Sequence, residues 1–194
     1  MVGTGTWEKG DTKYFSQGDL ADAIGDPSGF YSPMRSDLAV VMVNHQMREE
    51  VLPFAYRVTS LRIDDINELI YILIAIGNIG RQNIETIEVT WESNAEWQQA
   101  PNSDDLSLTL PRLHVATCVQ LLKQCSRLRC LRVLFENEII NDLLPSTFRN
   151  DPSLRELSSV RGLQCLDLCD LLRAPLKNLP LVLWLKEEME SPKQ

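Results

Sequence analysis

No stretch of this sequence approaches the roughly 20 apolar residues that a membrane-spanning helix needs, so no membrane partner is expected. Basic charge is scarce. Nineteen Lys and Arg stand against 27 Asp and Glu, a net charge of -8. A protein that held nucleic acid through counterion release would need the opposite balance, so no nucleic-acid partner is expected either. The opening, MVGTGTWEKGDTKYF, lacks a basic stretch followed by an apolar one, which reads as no secretory signal. An intracellular protein, cytoplasmic or nuclear, with reduced thiols is the expectation. The five cysteines, Cys118, Cys125, Cys130, Cys165 and Cys169, include no pair with the two-residue spacing of a zinc knuckle. His45 and His114 have no ligand-type spacing to a cysteine pair. The cysteines therefore read as free, buried or half-buried thiols, with no metal and no cofactor.

What the chain does have is the composition of a globular protein: 44% hydrophobic and 24% charged residues over 194 positions. A chain of this length buries roughly 70% of its unfolded surface and needs no disulfide or metal staple. Residues 1–34 hold six of the nine glycines and show no apolar periodicity, which reads as a flexible Gly-rich tail. Residues 35–194 read as one α/β domain. Ser36 and Asp37 can cap a first helix that Pro53 would stop. Asp65, with Glu68 three residues on, opens INELIYILIAI, and Gly77 suits its C-cap. Gly80 to Asn83 reads as a turn. Residues 92–106 carry Glu92, Glu96, Asp104 and Asp105 and no basic residue, an acidic surface loop of functional length. Helices are expected over about 112–125 and in a broken region over 138–159, where Asp151-Pro152 gives a second cap signal. LVLWLKEEME closes the chain as a helix.

Between these helices one pattern recurs, an apolar residue, two others, an apolar, one other, an apolar. It reads Val58-Leu61-Ile63, Ile84-Ile87-Val89, Leu128-Leu131-Val133 and Leu163-Leu166-Leu168. This is the apolar skeleton of a leucine-rich-repeat strand. The first spacing, 26 residues, fits the usual ~20 to 29, but the next two, 44 and 35, exceed it, so the repeat is degenerate, with insertions in the second and third units. The fold expected is α/β: stacked strand-helix units with a mainly parallel sheet. If the strands stack in sequence order, the outward row is Arg62, Glu88, Arg132 and Asp167, with Ser60, Thr86, Cys130 and Cys165 as the row before it. Alternating signs read as a ladder of cross-strand ion pairs, or as a charged face that meets a partner.

The run LAVVMVNHQMREEVLPFAYRVTSLRI, with Asn44-His45-Gln46, Arg48-Glu49-Glu50, Pro53 and Tyr56, resembles the segment after the F-box in fungal F-box-like proteins of unknown function. So does DDINELIYILIAIGNIGRQNIETIEVTW, through Ile76-Gly77, Gly80-Arg81-Gln82-Asn83 and Trp91. The resemblance runs more faintly through LLKQCSRLRCLRVLF and VRGLQCLDL to LWLKEEMESPK, over roughly 36–193. It implies a leucine-rich-repeat-like region that binds a partner protein, a substrate-recognition-type domain. An F-box would dock the adaptor of a cullin-type ubiquitin ligase and opens with Leu-Pro and then Glu-Ile or a similar pair. Residues 1–35 hold no such run, so the adaptor is not carried over as a partner.

Catalytic groupings are few. His114 and Cys118 are four apart, the spacing of a thiol and its base on one helix face, but no third orienting group marks a dyad. Gly77-Asn78-Ile79-Gly80 follows a helix, where a phosphate-binding loop should follow a strand. Arg81 reads as a carbonyl-capping residue, Trp91 as a cover for the core edge, and Trp97 as an exposed anchor in the acidic loop. The expectation is a non-catalytic protein-interaction module with partner candidates Arg62, Glu88, Arg132, Asp167 and Trp97. The alternative is a small-ligand or enzymatic domain on a doubly wound sheet, its site near Asp64, Glu92 or Asp170 at the strand ends. Strand order separates the two architectures.

Overall fold

The computed structural model describes residues 12–15, 45–93, 110–136, 140 and 145–192, with backbone alone at 12–15, 45–48 and 145–146. Five strands, β1 (Thr12–Phe15), β2 (Ser60–Ile63), β3 (Thr86–Thr90), β4 (Cys130–Phe135) and β5 (Cys165–Asp170), form one sheet. Neighbouring strands are parallel and follow sequence order, β1-β2-β3-β4-β5. The helices are α1 (His45–Val58), α2 (Ile66–Ala75), α3 (Gly77–Asn83), α4 (Val115–Gln124), α5 (Pro145–Phe148), α6 (Pro152–Ser158) and α7 (Pro180–Met189). This is the α/β architecture of stacked strand-helix units.

The alternation of strand side chains builds the core. Leu61 and Ile63, Ile87 and Val89, Leu131, Val133 and Phe135, and Leu166 and Leu168 all join one apolar cluster with the helices. The helices answer with their own period. In α4, Val115, Cys118, Val119 and Leu122 are buried, the i, i+3, i+4, i+7 stripe. In α7, Leu181, Val182, Leu185 and Met189, at i, i+1, i+4 and i+8, form the buried stripe. Helix starts follow their caps. The Asp65 side chain accepts from the Glu68 backbone N–H at 2.7 Å, and Asp151 accepts from that of Leu154 at 3.0 Å, with Pro152 opening α6. Trp91 is buried at the end of β3, and its indole donates to Ser153 Oγ at 2.9 Å, tying that strand to the start of α6.

Three local expectations change. Pro53 lies inside α1 and does not stop it. Its missing N–H costs the helix up to about 3 kcal/mol. Leu52 and Tyr56, one turn apart and buried, each contribute roughly 1.5–3 kcal/mol of burial and offset that cost. The helix therefore runs to Val58, which is exposed rather than a strand core position. Gly80 to Asn83 is helix, not turn: α2 breaks only at Ile76, because Gly77 takes a left-handed φ of 62° and α3 starts anew. Gly80 lets α3 turn tightly, since a Cβ there would lie 2.5 Å from the Ile76 side chain. Finally, Thr12–Phe15, placed by sequence in the tail, pairs with β2 from Thr12↔Ser60 to Phe15↔Ile63. A four-residue strand shows no periodicity of its own; β-prone Thr, Tyr and Phe take this form because β2 offers an open edge. The Ser36-Asp37 cap and most of the acidic loop lie outside the described residues.

The other edge is closed locally. After β5 the chain turns at Asp170–Arg173, and Cys169 bridges Pro175 in antiparallel sense. The Asp170 N–H donates to Ala174 O at 2.9 Å and the Leu176 N–H to Leu168 O at 2.8 Å. Pro175 has no N–H to offer a further strand, so this return blunts the edge.

Gly77→Ala is expected to destabilise the protein by about 1–2 kcal/mol, the cost of a Cβ in left-handed backbone, read as a lower urea midpoint at unchanged slope.

Candidate functional site

The outward row of the sheet is in register across four strands: Arg62↔Glu88↔Arg132↔Asp167, with Tyr14 of β1 opposite Arg62. The sequence pattern placed these four residues on one row, and the structure brings them together. Arg62 Nε donates to Glu88 Oε1 in a very short contact. Arg132 Nη1 donates to Glu88 Oε2 at 3.1 Å, and its Nη2 to Asp167 Oδ2 at 3.2 Å. A fifth member comes from the turn after β5. Arg173, with a left-handed φ of 64°, reaches back past β4 and donates from Nε to Glu88 Oε1 at 3.2 Å. Glu88 thus accepts from three guanidinium groups.

Exposure divides the row. The side chains of Arg62 and Glu88 are 5% and 8% exposed, whereas those of Arg132, Asp167 and Arg173 are 44%, 43% and 44% exposed. The β2–β3 half is structural in character and the β4–β5 half is reachable from solvent. Burial would push the Arg132 guanidinium pKa down, but hydrogen bonds to Asp167 and Glu88 outweigh it and the net shift is upward. Three arginines and two carboxylates gather here, in a chain whose overall charge is -8. Beside it, the turn presents Leu171 and Leu172, the latter 89% exposed. Trp97 lies outside the described residues.

Arg173 and the two leucines escaped the sequence reading. Arg173 is 85 residues from Glu88, and no periodic pattern links a turn residue to a strand position that distant. Arg81 behaves as expected: its guanidinium donates to the carbonyl of Leu73 in the last turn of α2.

The strand C-termini carry Asp64, Glu92, Glu136 and Asp170, where a doubly wound sheet would place a ligand. Sequential strand order provides no reversal point among these strands. Among the described residues no three His, Cys, Asp or Glu side chains group to hold a metal ion. The acids there repel one another. Burial first, then Asp65 and Glu88, raise the Asp64 carboxyl above its ordinary 3.8. Burial, then Asp65, Glu136 and Asp64, raise Glu92 above its ordinary 4.5. His114 and Cys118, four apart in sequence, form no dyad. His114 is exposed at the start of α4, while Cys118 is fully buried and burial pushes its thiol up to about 12. A thiol sealed in the core and held protonated so firmly is no nucleophile.

A cavity of about 550 Å³ opens at the opposite end of the sheet, where Leu128 and Leu163 lead into β4 and β5. Lys123, Arg161 and Glu188 are its charged walls, but Arg161 and Glu188 form a salt bridge with each other. No family model matches the chain, and searches of curated proteins and of solved structures return no match. Among the described residues no helix is long and apolar enough to cross a membrane.

Two outcomes test these electrostatics. Glu88→Ala breaks the buried ion pair with Arg62 and should cost about 3–5 kcal/mol in urea unfolding, whereas Asp167→Asn, on an exposed pair, should cost less than about 1 kcal/mol. Glu92 holds its proton more tightly folded than unfolded, so its ionisation weakens the fold as pH rises through and above 4.5. Glu92→Gln should therefore be more stable than the parent at pH 7, and the two midpoints should converge below about pH 4.

Proposed function

We propose that this chain is a non-catalytic protein-interaction module, a leucine-rich-repeat-like domain that meets its partner with the exposed half of the sheet's charged row. The surface consists of Arg132, Asp167 and Arg173, with the Leu171-Leu172 turn at its side. One observation carries the reading: a row of charges held in register by a buried carboxylate, half of it open to solvent. Preorganised guanidinium groups lose little entropy on binding, and a neighbouring apolar knob supplies burial that ion pairs alone do not. The resemblance to the region after the F-box of fungal F-box-like proteins agrees with a substrate-recognition role inside the cell. A small-ligand reading has the cavity between α4, α6 and α7 in its favour, although the charged groups lining it largely satisfy one another.

The test is affinity purification with quantitative mass spectrometry. Proteins captured by the wild type should be lost from Arg132→Glu and from Leu172→Asp, and retained by Lys123→Glu at the distant cavity. A capture profile that ignores both face variants, or that is lost only with Lys123→Glu, would transfer the role to the cavity.

A further inference from the structure

We propose that Cys130 and Cys165 form an oxidative modification site, two thiols that a peroxide joins in a reversible disulfide across β4 and β5. All five cysteines are free, but they are not equivalent: Cys118, Cys125 and Cys169 are buried, and Cys130 and Cys165 are half-buried. The latter two are direct register partners on neighbouring parallel strands. Such strands lie about 4.8 Å apart, within the roughly 4.4–6.8 Å between Cα atoms that disulfides span. Register partners also point to the same side of the sheet, here the outward one. Both thiols therefore face solvent side by side.

The two differ in readiness. The Cys165 thiol donates to Asp167 Oδ1 at 3.6 Å. Burial, Asp167 and the neighbouring Cys130 all raise its pKa. With its S–H engaged by Asp167, Cys165 is the resolving thiol and Cys130 the one that reacts first. The Cys130 thiolate sulfur attacks one oxygen of hydrogen peroxide, the O–O bond breaks, and a sulfenic acid forms with release of hydroxide, which takes up the thiol's proton as water. Cys165, on giving up its proton, attacks the sulfenic sulfur; the S–S bond forms, the S–O bond breaks, and a second water leaves. Two thiols are oxidised by two electrons and one peroxide is reduced to two waters. A thiol reductant reverses the step. The disulfide would remove the S–H donor from Asp167, the carboxylate that Arg132 also holds. Oxidation thereby acts on the outward row, whether or not that row binds a partner.

The purified full chain is exposed to hydrogen peroxide, its free thiols are capped with N-ethylmaleimide, and it is digested and mapped by mass spectrometry. The expected product is a monomer about 2 Da lighter when weighed before capping, whose digest after capping holds a peptide linking Cys130 to Cys165 that dithiothreitol separates. Cys169→Ser should keep the link, and Cys130→Ser should lose it. Individually capped Cys130 and Cys165 after peroxide treatment, a link to Cys169 instead, or a link only between chains would overturn the proposal. The wild-type map decides it even if Cys130→Ser fails to fold.

Discussion

A buried carboxylate at the centre of the sheet organises the side away from the helices. Glu88 accepts from Arg62 on β2, Arg132 on β4 and Arg173 on the turn beyond β5. A charge with so little solvent is costly unless ion pairs and hydrogen bonds replace its water. Each arginine is thereby held in one place, and each belongs to a different part of the chain. The interaction links positions on three strands and pins the closing turn at the same time.

That pinning has consequences at the edge. With Arg173 drawn over the sheet, residues 174–176 run back along β5 and use its outer backbone groups. The turn between them is left to project Leu171 and Leu172. An edge that is protected and an apolar tip that is displayed are two results of one geometry. The contrast with the helix side is sharp. There Leu61, Ile87, Leu131 and Leu166 repeat the same residue class in each unit and the core needs no polar specificity.

Much of this was legible because it is local or periodic. The fourfold apolar pattern located β2 to β5, and a step of two along each strand assigned Arg62, Glu88, Arg132 and Asp167 to one row. Asp65 and Asp151 marked helix starts because capping needs only residues three apart. The misreadings share a different cause. Pro53 continues a helix because Leu52 and Tyr56 bury well enough to offset its lost bond, which local propensity does not register. Strand β1 is stable only against β2.

By itself, then, the sequence determined the α/β class, the parallel repeat of strand and helix, and the identity of the charged row, since periodicity decides which face a side chain occupies. Only the tertiary structure decided which half of that row is buried and that Arg173 joins it from 85 residues away. Burial and long-range proximity depend on how whole elements stack, and no spacing along the chain encodes them. The acidic excess noted at the outset takes its meaning from the same source. Among the described residues, carboxylates crowd the strand C-termini, where burial and mutual repulsion raise Asp64 and Glu92, while arginines gather around Glu88 on the sheet face.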